Sequence, residues 1–123
     1  MASKNTLFYV TDNSGGQYAE CIKVLKSKLQ KIYIGKFIIV VIKKIRWRKK
    51  MKVKEHDVRW GIVVRLKKGI TRFNGLRLCF SDNALVLLDK NKNPLGNRIY
   101  GPVSYEIREK KLMKLVLISP SVF

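Results

Sequence analysis

At 123 residues the chain is long enough for one small core and short for two, so a single unit over 1–123 is expected. Its 27 Lys and Arg against 8 Asp and Glu give a formal net charge of +19, which crowds like charges together on folding unless a polyanion screens them. With 46% hydrophobic residues and charge spread along its length, this is the composition of a folded domain rather than a basic tail, and its longest apolar run, 37–42, falls far short of the roughly 18–20 residues of a membrane span.

The first apolar segment, 7–10, runs into Thr11-Asp12-Asn13-Ser14-Gly15-Gly16, whose Asx side chains and glycines supply a turn. Nothing before that segment has the apolar core of a secretory leader or the Arg-rich pattern of a presequence. A second strand is expected over 18–25. A polar connection bearing Lys26, Lys28 and Lys31 leads to Gly35. The β-branched run 37–42 then has the character of a central strand and is expected to be the most buried one.

The most basic stretch follows, with Lys43, Lys44, Arg46, Arg48, Lys49, Lys50, Lys52 and Lys54 interrupted by Ile45, Trp47, Met51 and Val53. Those apolar interruptions suit the two arms of a projecting β-ribbon, about 43–57; the competing reading is a solvated loop. Over 58–66 the alternation places Val58, Trp60, Ile62, Val64 and Leu66 on one face, inward, and Arg59, Gly61, Val63 and Arg65 on a basic outer face. Lys67-Lys68-Gly69 turns the chain, and Asn74-Gly75 between 70–73 and 76–80 predicts a type I′ hairpin. A short strand over 84–88 completes a small closed or nearly closed barrel, about 5–90 with the ribbon included.

The rest, about 91–123, reads as a loop and two short helices, with Ser104 as N-cap, Glu106 in the first turn, and Leu112, Leu115 and Val116 at helical spacing before Ser119-Pro120. The predicted fold class is mainly β: a five-stranded β-barrel with a projecting ribbon and short C-terminal helices. Cys21 and Cys79 form no CxxC pair and have no histidine near them in sequence, so buried reduced thiols are expected ahead of a disulfide or metal site.

No catalytic constellation emerges. The acids are sparse and mostly sit beside Lys or Arg, His56 falls in the turn-like tetrad Lys54-Glu55-His56-Asp57, and neither GxxxxGK[ST] nor GxGxxG occurs. No enzyme activity, cofactor or metal is expected. What remains is cation and aromatic chemistry: Lys and Arg neutralise phosphates, Arg adds a planar fork, and Trp47 can stack on a base, whereas Trp60 reads as core. On these grounds RNA is the expected partner, bound by Arg46, Arg48, Lys49, Lys50, Lys52, Lys54, Arg65, Lys67, Lys68, Arg72, Arg108, Lys110 and Lys111.

Certain residues carry a closer likeness. Gly61-Ile62-Val63-Val64 is followed, after nine intervening residues, by Asn74-Gly75, then by Phe80, Asn83 and Val86-Leu87. Asp12-Asn13-Ser14-Gly15 and Cys21-Ile22-Lys23-Val24-Leu25 precede these; Arg98-Ile99-Tyr100-Gly101-Pro102-Val103 and Met113-Lys114 follow. In this order and spacing the chain resembles the universal ribosomal protein fourteen family of the large subunit, along nearly its whole length. The resemblance implies a structural constituent that binds large-subunit ribosomal RNA, touches neighbouring ribosomal proteins, and reaches small-subunit ribosomal RNA across a bridge. It also implies a protein-partner or intersubunit surface at Asn97, Arg98 and Lys114, where bacterial and organellar relatives dock a ribosome-silencing factor.

The family more often has Thr at the position of Asn97 and Gly at that of His56, and its basic segment is about two residues shorter than 43–54 here. A free-standing OB-like or cold-shock-like RNA-binding protein is the alternative, but it calls for a platform of surface aromatics. Lys outnumbers Arg 19 to 8 and Ile occurs 12 times, a bias that fits AT-rich coding. The expected compartment is the mitochondrial matrix with an organelle-encoded gene, with plastid stroma or bacterial cytoplasm as alternatives.

Overall fold

A computed structural model describes residues 2–47 and 51–123. Arg48, Lys49 and Lys50 therefore lie outside the described residues. Five strands close into a barrel in the order β2 (Leu7–Val10), β3 (Gly16–Val24), β5 (Phe37–Ile45), β6 (Val58–Arg65) and β9 (Ala84–Leu88). Neighbours are antiparallel except at the closure, where β2 lies parallel to β9 with Tyr9 opposite Ala84 and Val10 opposite Leu85. Closure leaves the barrel without a free edge. Two short pairs stand apart from it: β1 (Ala2–Ser3) with β4 (Lys31–Ile32), and β7 (Ile70–Thr71) with β8 (Arg77–Leu78).

The nine-residue β3 spans two neighbours because its pairing with β5 is irregular at Gly16/Tyr18, Tyr18/Ala19 and Cys21/Lys23. Such irregularities bend a strand and let it curl around a narrow barrel. Phe8, Val10, Ala19, Cys21, Ile38, Val40, Ile42, Val63, Leu85 and Leu87 are buried in one cluster. Small residues fit the bulk of the leucines: a Cβ at Gly61 would meet Leu85 Cδ1 at 3.4 Å, and one at Gly16 would meet Leu87 Cδ1 at 3.4 Å.

The C-terminal segment, with α1 (Glu106–Glu109) and α2 (Met113–Ile118), packs on the outside of the barrel. Leu95 N–H donates to Leu87 O at 3.1 Å and Ser104 N–H to Val64 O at 3.4 Å, while Ile99, Val103, Ile107 and Leu115 are buried. All five residues of β9 are buried in consequence, since both of its faces are covered. That corrects the expectation for 37–42, which alternates buried and half-buried residues because one face of β5 remains outside.

The face assignment of β6 is corrected as well. Gly61 and Val63 point inward toward Leu85, whereas Trp60 is half-buried on the outside, and a register shift between Val63 and Arg65 turns Arg65 into the structure.

Among the described residues of the basic segment the strand ends at Ile45, and positions 51–57 contain no strand. Arg46 N–H donates to Gly15 O at 2.7 Å and Lys52 N–H to Ser14 O at 2.9 Å, with Val53 buried, so the return path packs first on the Ser14-Gly15 turn and meets β5 only at its base, where His56 N–H donates to Ile42 O at 2.8 Å and Ile42 N–H to Asp57 O at 3.0 Å. A separate two-stranded ribbon is formed by β7–β8. Its turn is not type I′, because Asn74 is not left-handed: Gly75 alone has φ +83°, Gly75 N–H donates to Arg72 O, and Arg72 N–H donates to Leu76 O, the pattern of a type I turn followed by a left-handed glycine.

Two smaller expectations also change. Ser104 does not cap α1, since its hydroxyl bonds the Glu106 carboxylate and Tyr105 occupies the cap position without a side-chain bond. Both thiols are free, but only Cys21 is buried; Cys79 is exposed beside the ribbon.

Candidate nucleic-acid interface

The turn between β2 and β3 organises one side of the surface. Asp12 is buried and accepts Ser14 Oγ at 2.5 Å, Ser14 N–H at 3.3 Å and Leu87 N–H at 3.2 Å. Burial pushes its carboxyl above the usual range, and these donors pull it partly back. Asn13 then projects outward: Asn97 N–H donates to its Oδ1 at 3.0 Å and its Nδ2 donates to Asn97 Oδ1 at 2.5 Å. Gly96 is required at this junction, because a Cβ there would run into Asn13 Oδ1 and lie 3.2 Å from Asp12 Cβ.

Asn97 and Arg98 are thereby fixed side by side and exposed, with the Arg98 guanidinium 5.5 Å from the Tyr100 ring centroid. Lys114 reaches from α2 to the side chain of Asn93.

Arg46 and Lys52 of the basic segment flank the same turn through their backbone N–H groups. The Arg46 guanidinium lies 5.0 Å from the Tyr9 ring centroid, Lys52 Nζ donates to Leu95 O at 2.6 Å, and Lys54 is exposed. Trp47 is 89% exposed, the position a base-stacking residue needs. The tetrad after it is a tight turn, with Lys54 N–H donating to Asp57 Oδ2 at 3.1 Å and His56 left-handed at φ +64°.

Two of the expected RNA contacts, Arg65 and Arg72, have partners within the protein. Arg65 is 7% exposed; its guanidinium pairs with Asp82, with Nη2 3.3 Å from Oδ2, and Nη1 donates to Tyr100 O at 3.4 Å. Its Nε lies 3.2 Å from Asp82 Oδ1 but off the hydrogen-bonding direction, so the contact there is ionic only. Arg72 Nε donates to Glu106 at 3.1 Å and Nη2 to Phe123 O at 2.6 Å, tying the ribbon base to α1 and the chain end. Lys67 and Lys68, on the turn after β6, are exposed, as are Arg108, Lys110 and Lys111 at α1.

The structure also gathers Lys26, Lys36, Lys92 and Lys110 around one cavity floored by Phe37 and Trp60. Of these only Lys110 was among the expected RNA contacts; Lys26 was read as part of a polar connection, and Lys36 and Lys92 carried no expectation. They come from four separate loops and helix ends, and no local spacing announces them.

Among the described residues four ion pairs form: Lys43–Glu20, Arg59–Asp57, Arg65–Asp82 and Arg72–Glu106. With only 8 acids in the chain, most of the described cations stand outside these four ion pairs. No three His, Cys, Asp or Glu among the described residues are grouped to hold a metal ion, and no helix among them is long and apolar enough to cross a membrane.

The fold and this surface define a class: a small cationic β-barrel protein whose buried polar groups are committed to holding loops in place. The family model described as Ribosomal protein L14p/L23e matches residues 1–123, the whole chain, and the chain belongs to that family. It is a structural, non-enzymatic constituent of the large ribosomal subunit, and membership implies ribosomal RNA and ribosomal proteins as its partners.

Proposed function

We propose that the protein binds large-subunit ribosomal RNA near the subunit interface and contributes to an intersubunit bridge by reaching small-subunit ribosomal RNA. The observation that carries this reading is the set of cations outside the four ion pairs that separate loops of one barrel present: half-buried Arg46 with exposed Lys52 and Lys54 in the basic segment, exposed Lys67 and Lys68 after β6, and exposed Arg108, Lys110 and Lys111 at α1. Cations on separate loops suit a protein wedged among several RNA segments better than one tracking a single strand. Arg48, Lys49 and Lys50 join the first group through their place in the sequence. The exposed ribbon tip, Phe73 and Leu76, suits a protein neighbour instead.

Asn97, Arg98 and Lys114 are proposed as the protein-partner or intersubunit surface, open to a ribosome-silencing factor. The reciprocal hydrogen bonds between Asn13 and Asn97 support a preorganised patch there. The mitochondrial ribosome, with an organelle-encoded gene, is the proposed setting on the strength of the Lys and Ile bias; plastid and bacterial ribosomes are the alternatives, and the RNA that copurifies distinguishes them.

Replacing Arg46, Arg48, Lys49 and Lys50 together with Gln tests the RNA reading. The plot of log affinity for large-subunit RNA against log salt is expected to flatten by about 0.7–0.9 for each phosphate that is no longer neutralised. An unchanged slope would remove this segment from the interface.

A further inference from the structure

We propose that the outer cavity beside β5 and β6 holds one unstacked nucleotide of large-subunit RNA, its base against Trp60 and Phe37 and its phosphates among Lys26, Lys36, Lys92 and Lys110. The inference rests on the RNA-binding reading above and assigns it a pocket. The cavity measures about 390 Å³, within the range of small-ligand sites, and every charged residue lining it is a lysine.

The strand register builds its floor. Trp60 stands opposite Ile39, and Phe37 lies two residues before Ile39 on the same outward face of β5, so the two aromatic rings share one wall of the barrel exterior. Both are half-buried.

The lysines arrive from separate elements and are held at the rim. Lys36 Nζ donates to Lys26 O at 3.4 Å, Lys110 Nζ donates to Gly35 O at 3.3 Å, and Lys92 Nζ stands 5.1 Å from the Phe37 ring centroid. Gly35 permits the close passage of Lys110: its φ is +80°, and a Cβ there would meet Lys110 Cδ at 2.6 Å. Lys26 and Lys92 occupy left-handed backbone, at φ +54° and +62°, where a lysine is strained.

The ligand class follows from the pairing of these groups. A free inorganic anion would use the ammonium groups and leave the indole idle, and an apolar ligand would leave four lysines facing one another without a counter-charge. An acidic peptide would satisfy the rim alone. A nucleotide uses both, because every base has a π-face for stacking and brings its own phosphates.

The test uses the full chain carrying Trp47→Phe, which leaves Trp60 as its single tryptophan. Indole fluorescence is followed while short single-stranded oligoribonucleotides, an abasic ribose-phosphate oligomer, or polyglutamate is added. RNA is expected to quench Trp60, the abasic oligomer to bind without quenching, and polyglutamate to do neither at matched charge. By anisotropy of labelled RNA, Trp60→Leu is expected to weaken binding fivefold to a hundredfold, on the order of one stacked base.

The paired substitutions Lys36→Gln and Lys92→Gln, which leave the core untouched, are expected to lower the salt slope by about 1.4. RNA that binds with Trp60 fluorescence unmoved and the slope of the lysine variant unchanged would overturn the pocket while leaving the RNA-binding reading intact. Quenching by polyglutamate equal to that by RNA would also overturn it, in favour of a protein partner. Absence of any RNA binding by the full chain would overturn both.

Discussion

Asp12 and Asp57 occupy turns two strands apart and have opposite electrostatic characters. Burial raises the Asp12 carboxyl above 3.8, so as pH climbs from 3.8 through its folded value the folded state gives up a proton the unfolded state has already lost, and stability falls across that window. Asp57 is held below 3.8, chiefly by the Lys54 N–H and then by Arg59; its contribution is complete above 3.8 and is lost as pH drops through the folded value. Carboxyl NMR titration is expected to give an Asp12 midpoint above 3.8 and an Asp57 midpoint below it; the reverse order would contradict this placement. The sequence marks Asp12-Asn13-Ser14-Gly15 as a turn, but not that Asp12 turns inward to Leu87, since that bond crosses to β9. At His56 the left-handed φ gives a physical reason for the Gly that the family resemblance leads one to expect there.

At the scale of elements, the strands were legible wherever a short apolar or alternating run met turn residues, as in β2, β3 and β9. Faces were harder to read, because a strand covered on both sides has no polar face to orient it. In β6 the alternation breaks at the shift between Val63 and Arg65, and a cation that alternation places outside becomes the buried link between β6, the Asp82 turn and the loop carbonyl of Tyr100.

Asp82→Ala leaves that guanidinium without its counter-charge and is expected to cost about 1–3 kcal/mol in chemical denaturation. An effect below a few tenths of a kcal/mol would show that Arg65 is solvated instead. The second arm of the basic segment departs from its pattern for a related reason: its alternation is real, but Val53 spends its side chain on the core and the Lys52 N–H goes to Ser14 O.

For the whole molecule, charge and fold answer different questions. A net charge of +19 pointed to a polyanion, and the barrel divides that charge among separate loops. Family membership was legible because its motif positions coincide with turns and close packing: Gly61 against Leu85, the Asn74-Gly75 turn, and Asn13 reaching Asn97. The lysine cavity was not, since its walls meet only after the chain has closed.

Sedimentation of native extracts through a sucrose gradient at moderate salt tests the central claim most directly. The protein is expected to migrate with large subunits and their RNA; a protein left at the top of the gradient, away from those subunits, would contradict it.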